Sequence, residues 1–210
     1  MNTRVAAAVG RALDERQREA TEEVERILAA AVTVLERVAP AAPRISDILA
    51  EAGTSNKAFY RYFSGKDDLI LAVMERGVGM VTSYLDHMMS KEDDPARRVA
   101  RWIEGALAQV GEPRLTRASR AVVAQLAATA EARVADEEIT RPMRDLLFAA
   151  ISDLGTGDPR RDTDAVYATV FGTLRYYLAV DTQPGPEDIE HVVSFCLKGM
   201  GATRRRRKSH

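Results

Sequence analysis

The breakers in this 210-residue chain fall in clusters, and the long stretches between them repeat their apolar residues every three or four positions. That spacing puts the apolar side chains of each stretch on one helical face. Runs of alternating β-branched and aromatic residues bounded by turn pairs, the mark of strands, are missing. The expected fold class is therefore all-α. Breaks at Pro40 and Pro43, Gly53, Ser64 and Gly65, Asp93 to Pro95, Gly111 to Pro113, Leu154 to Pro159 and Asp181 to Pro186 divide the chain. Between them helices are expected at 21–38, 45–52, 55–63, 66–89, 96–110, 115–131, 133–153, 162–180 and 186–200. Pro142 marks either a kink or a helix start capped by Thr140.

Ahead of the first firm helix, residues 1–20 mix Ala with alternating charges. Asp14 with Arg18 and Glu22 with Arg26 stand in the acid-first order that favours a helix at a spacing of four. A helical but partly frayed arm is expected there. Thr21 is a plausible N-cap of the helix that follows, whose Val24, Ile27, Leu28, Ala31, Leu35 and Val38 share a face.

The segment with the most specific pattern is 44–63. A short helix with Ile45, Ile48, Leu49 and Ala52 on one side stops at Gly53, the residue best suited to a left-handed C-cap. Ser55 then offers an N-cap to a second short helix, with Phe59 and Phe63 as its inner edge. Short helix, tight turn and second helix with an apolar inside and a polar outside form a helix-turn-helix, which presents its second helix to the major groove of DNA. Asn56, Lys57, Arg61 and Tyr62 fall on the outer side, and no acid interrupts the strip between Gly53 and Lys66. The net charge of the whole chain is only -1, so any DNA contact must come from such a local patch.

The run Gly53-Thr-Ser-Asn-Lys-Ala-Phe-Tyr-Arg-Tyr-Phe-Ser-Gly-Lys-Asp-Asp-Leu69, with Ile48 before it, resembles the recognition helix and start of the fourth helix of TetR-family transcriptional regulators. The likeness covers about residues 21–75, and the rest agrees in length and helical layout. It implies three N-terminal helices that bind DNA (21–65) and a helical domain for effector binding and dimerisation (66–203). The arm at 1–20 precedes them, and a basic disordered tail follows at 204–210.

By that resemblance Asn56, Lys57 and Ala58 face base edges, with Ser46 joining them. An Asn amide can pair with adenine, a Lys can donate to guanine and an Ala methyl can touch thymine. Arg44, Tyr60, Arg61, Tyr62 and Lys66 would bind phosphates, which set register and supply salt-dependent affinity. For Tyr60 and Tyr62 a buried ring with an exposed hydroxyl is the competing expectation. The family often has a hydroxyl residue where this chain has Arg44 and Ala58, and an apolar one at Thr54, which leaves the operator sequence open.

The resemblance also implies an effector pocket in the C-terminal helices, with Trp102, Leu107, Val123, Leu126, Phe148, Tyr167 and Phe171 as candidate liners. Few charges lie among them, so a largely apolar small molecule is expected; ordinary core packing is the competing account of each. The last two helices resemble a dimerisation hairpin, with Val166, Val170, Leu174, Tyr177, Ile189, Val193 and Leu197 at the interface and Gly172 allowing close approach. A two-fold homodimer would set two recognition helices ~34 Å apart on a pseudo-palindromic double-stranded operator. Effector binding would move the fourth helix and release the DNA, the behaviour of a repressor.

Other chemistries find little support. A nucleophile beside a base, a phosphate-cradling glycine loop and zinc-ligand spacing are all lacking, so neither enzyme activity nor a cofactor or metal is expected. Asp188 and His191 stand three apart as in half of a di-iron site, but the second half is missing. His87 and His191 read as structural, and Cys196, the single cysteine, as a packed thiol in a cytoplasmic protein. No stretch approaches the ~18 apolar residues of a membrane span. The basic run Arg204 to Lys208 reads as a solvated terminus. The alternative to a regulator is a helical-bundle enzyme or adaptor that uses the C-terminal cavity without binding DNA.

Overall fold

The structure, a computed structural model, describes residues 3–38, 41–108, 130–180 and 182–201, with the backbone alone for 130–136. Every element among the described residues is a helix: α1 (Thr3–Val38), α2 (Ile45–Ala52), α3 (Asn56–Tyr62), α4 (Lys66–Met89), α5 (Pro95–Ala108), α6 (Ala130–Leu154), α7 (Pro159–Ala179) and α8 (Pro186–Gly199). The all-α expectation holds. The helix expected at 115–131 lies almost wholly outside the described residues, as do Val123, Leu126 and the basic run near the C-terminus.

The chain divides into two compact units, residues 1–73 and 74–210. In the first, α1 packs against α2 and α2 against α3. Ile27, Leu28, Ala31, Val34 and Leu35 of α1, Ile48 of α2 and Phe59, Phe63, Leu69, Ile70 and Val73 are buried. The unit therefore takes in the first two turns of α4, whereas the resemblance implies a DNA-binding segment that ends at residue 65. The arm at 3–20 is the uninterrupted start of the 36-residue α1. No residue before Ile27 in this helix is buried.

In the second unit α5 packs against α6, α7 and α8. Val99, Trp102, Ile103, Ala106 and Leu107 of α5 enter one core with Leu85, Met143, Leu147, Ile151, Val166, Val170, Val193, Cys196 and Leu197. The Trp102 indole is wholly buried and donates from Nε1 to the Met143 carbonyl at 2.9 Å, which meets its one polar requirement. Pro142 sits inside α6, whose helix passes through it. Asp158 caps α7 by accepting from the Arg161 amide at 3.1 Å, so that helix starts at Pro159, a turn earlier than the apolar spacing suggests. At α8 the Gly185 amide donates to Asp188 Oδ2 at 2.8 Å.

Gly105 is required by a close approach. A Cβ there would lie 2.5 Å from Leu85 Cδ2, so α4 and α5 meet at this point without a side chain between them.

Candidate nucleic-acid interface

Two pieces of local chemistry build the turn between α2 and α3. Gly53 adopts φ 60°, ψ 34°, the left-handed conformation that costs a residue with a Cβ extra strain. The chain then straightens, and Ser55 at φ −90°, ψ 157° accepts the Ala58 amide on its Oγ at 3.1 Å. With the turn set, Phe59 and Phe63 are driven inward, their ring centroids 5.5 Å apart.

The outward face of α3 follows from that anchoring. Asn56, Lys57, Tyr60 and Arg61 are exposed and recur one turn apart, so they form one stripe. Tyr60 is 54% exposed, with its ring set edge-on to Phe59 at 5.1 Å. Arg44, just before α2, and Ser46 on its first turn are exposed too, and Lys66 at the start of α4 is half-buried. Ser64 beside it donates from both its amide (2.8 Å) and its hydroxyl (3.0 Å) to Asp68 Oδ2.

Two expected contacts need correction. Ala58, whose amide the Ser55 cap accepts, is buried beside Phe59 rather than presented on the exposed stripe. Tyr62 is half-buried, and its hydroxyl donates to Glu23 Oε2 of α1 at 2.8 Å, so it serves the fold rather than a phosphate.

Glu23, which the apolar pattern of α1 does not single out, joins three groups. Besides Tyr62 it accepts from Thr54 Oγ1 at 3.2 Å and lies 3.7 Å from the Arg61 guanidinium. The Tyr62 hydrogen bond, with smaller help from Thr54 and Arg61, holds its carboxyl below the usual carboxylate range despite partial burial. The same bond raises the Tyr62 phenol above its usual value. Arg61 is held between this carboxylate and the Tyr62 ring, 5.1 Å from its centroid, while staying exposed. The only advance signal for Glu23 is the departure at Thr54, whose hydroxyl needs an acceptor.

In the second unit Trp102 and Leu107 are fully buried core, and Tyr167 and Phe171 pack against that core, stacked at 4.2 Å. Arg144 lies over the Tyr167 ring and pairs with Asp164. Phe148 is 44% exposed, which removes it from any interior lining; it faces outward from α6 while Leu147 and Ile151 beside it face in.

The expected dimer residues divide. Val166, Val170, Val193 and Leu197 are buried in the subunit's own core, and Leu174 and Ile189 pack against it. The correction has a simple cause: α7 and α8 are apolar on two faces, and the aliphatic face turns inward. Their outward side bears Tyr176 and Phe195, 62% and 63% exposed. An open groove of about 520 Å³ there is lined by Thr169, Gly172, Thr173, Tyr176, Tyr177 and His191. Tyr177 and Asp188 both line it, and burial together with that carboxylate raises the Tyr177 phenol above its usual value.

Cys196 is buried, and burial pushes its thiol up to about 11. Among the described residues no three His, Cys, Asp or Glu side chains group as metal ligands would. Nor, among them, is any helix long and apolar enough to cross a membrane.

Among the described residues, which are all helix or connector, a capped short helix, a left-handed glycine turn and an exposed Asn-Lys-Tyr-Arg stripe form a helix-turn-helix. Residues 27–73 match the family model described as bacterial regulatory proteins, tetR family. That segment is similar to the DNA-binding domain of that family, and the chain has the fold of solved transcriptional regulators. The FadR regulator of Bacillus subtilis, solved with stearoyl-CoA, is similar at 19% identity and TM-score 0.66, over 84% of this chain and 96% of that one. A TetR transcription regulator from Haloarcula marismortui is similar at 20% identity and TM-score 0.69, over 86% and 97%. RolR, solved with resorcinol, is similar at 18% identity and TM-score 0.62, over 89% and 91%. Curated protein sequences contain no match to the chain.

Proposed function

We propose that this protein is a DNA-binding transcriptional regulator, a repressor that leaves a pseudo-palindromic operator when a small molecule binds its C-terminal helices. The observation that carries the proposal is the exposed stripe Asn56, Lys57, Tyr60 and Arg61 on a helix whose opposite side is anchored by Phe59 and Phe63. Asn56 and Lys57, at the front of α3, read base edges. Arg44, Tyr60, Arg61 and Lys66 bind phosphates, with Ser46 beside them on α2.

The working form is a homodimer in which the outward sides of α7 and α8, with Tyr176 and Phe195, meet those of a second copy. Two aromatic side chains this exposed are the kind of surface an interface covers. The effector is largely apolar, in keeping with the Trp102, Tyr167 and Phe171 cluster. FadR is solved with a fatty acyl thioester and RolR with an aromatic diol, ligands that each present an apolar part. Its binding shifts the populations of states that differ at α4, with a coupling of ~1–3 kcal/mol.

Footprinting on the DNA upstream of the protein's own gene tests the proposal. A protected site of two half-sites, with affinity falling steeply as salt rises, is expected. Weak binding that is flat in salt would favour an adaptor.

A further inference from the structure

Glu23 is an acid set against the helix that bears the cationic stripe, where its charge stands to repel DNA phosphates. Its surroundings give it another use. Both carboxylate oxygens are engaged: Oε1 accepts from Thr54 Oγ1 at 3.2 Å and Oε2 from the Tyr62 hydroxyl at 2.8 Å. Thr54 stands where the resembled family often has an apolar residue, so this second donor comes from the chain's own departure. Arg61 Nη2 lies 3.7 Å from Oε2, and the guanidinium carbon is 5.1 Å from the centroid of the Tyr62 ring. The two contacts meet different parts of one planar group, an edge and a face. The Glu23 side chain is 20% exposed and that of Arg61 61%, so the carboxylate is the fixed member of the pair and the guanidinium the one that reaches solvent. A guanidinium carries five N–H donors, and one contact at an edge leaves the rest able to meet a phosphate.

We propose that Glu23 is a positioning residue for DNA binding: from α1, and together with the Tyr62 ring, it holds the Arg61 guanidinium in the direction from which it meets a phosphate. The inference rests on the regulator function proposed above and adds to it a residue that itself touches no DNA. An ion pair with one partner this exposed contributes little to folding, which leaves orientation as its use. A long side chain ordered before binding avoids most of the cost of ordering it on the duplex, a difference of about fivefold in affinity. The sign of the effect sets positioning apart from simple charge. Deleting an acid near DNA tightens binding, whereas deleting the group that orients Arg61 weakens it.

Fluorescence anisotropy of the full-length protein on the upstream duplex tests the assignment, at a temperature where urea unfolding curves show every variant folded. Glu23→Gln keeps the size of the side chain and removes its charge. It is expected to weaken binding about fivefold in an otherwise wild-type chain and to have no such effect in an Arg61→Ala background. Equal losses in both backgrounds would make Glu23 a merely structural residue, and tighter binding by Glu23→Gln alone would make it a plain source of repulsion; either result overturns the proposal. A second measurement needs no DNA. Nitrogen-15 relaxation at Arg61 Nε in the free protein should give an order parameter that drops in Glu23→Gln to below about 0.6, the range of a flexible group. An unchanged value overturns the proposal as well. Wild type that fails to bind any upstream duplex would instead defeat the regulator function, and the relaxation measurement separates that outcome from a failure of Glu23 to hold Arg61.

Discussion

The Tyr62 hydroxyl donates at 2.8 Å to the carboxylate of Glu23, 39 residues earlier in the chain. The bond ties the last turn of α3 to α1, so the exposed stripe of α3 inherits its orientation from a helix that bears none of it. A hydrogen bond to a charged group contributes about 1.5–3 kcal/mol when well formed, and partial exposure of this one brings it to the lower end. Tyr62→Phe should cost about 1.5 kcal/mol in urea unfolding. A double-mutant cycle with Glu23→Gln should return a coupling of about the same size. A cycle energy of zero would show the two side chains to be independent.

The bond also predicts a pH window. Glu23 is lowered on folding, so its contribution is present above the ordinary Glu value of about 4.3 and is lost as pH falls through the lowered value. Tyr62 is raised on folding, so its contribution is full below about 10 and is lost as pH rises through the raised value. Unfolding followed from pH 3 to pH 11 should show wild type losing its advantage over the Tyr62→Phe variant at both ends of the range. A difference that is constant across that range would contradict the assignment.

Arg61 and Tyr62, adjacent in sequence, should behave differently on DNA. Arg61→Ala is expected to reduce the slope of log affinity against log salt by about 1, the signature of one lost phosphate contact. Tyr62→Phe should leave the slope unchanged because its hydroxyl is engaged with Glu23. Asn56→Ala or Lys57→Ala should weaken discrimination between operator and mismatched DNA by about 1–3 kcal/mol. Fluorescence anisotropy over a salt series measures all of these. Equal slopes for wild type and Arg61→Ala would remove Arg61 from the interface.

The contrast between these residues shows what can be read from sequence. Gly53, Ser55, Phe59 and Phe63 are legible because their roles are local: a positive φ, a cap and a four-residue spacing need no knowledge of the rest of the chain. Tyr62 is misread because the acceptor of its hydroxyl lies 39 residues away, and no periodicity in seven residues can fix it; Ala58 is misread because a small side chain beside Phe59 does not mark its own burial. In α7 and α8 the difficulty is an excess of apolar surface. Val166, Val170, Val193 and Leu197 look as suited to an interface as to a core, and only the position of α5 decides. Phe195 goes unnoticed for the same reason, since it lies between Val193 and Leu197 but points the other way.

That division of α8 can be tested with two substitutions. Phe195→Glu places a charge on the outward face and should give a monomer by sedimentation, with the thermal midpoint of the subunit itself little changed. Leu197→Ala opens a cavity in the core and should cost about 2–5 kcal/mol without abolishing association of the folded fraction. If Phe195→Glu left the sedimentation of the protein unaltered, the outward face of α8 would not be the interface.

Gly105 gives the sharpest packing prediction in the second unit. The Leu85 methyl lies 2.5 Å from where an alanine Cβ would be, and Leu85 is itself fully buried among core side chains. Leu85 must leave its position or α4 must move away from α5, and an overpacked core typically loses about 1–3 kcal/mol. Helix propensity pulls the other way, since alanine is favoured over glycine by about 1 kcal/mol in a helix interior. The clash is the larger effect because the obstructing methyl belongs to a fully buried side chain of the core. Gly105→Ala should therefore unfold at a lower temperature than wild type, and Leu85→Ala combined with it should recover part of what the two single changes lose together. A Gly105→Ala protein more stable than wild type would mean that Leu85 can rearrange freely and that the close approach of α4 and α5 does not require glycine.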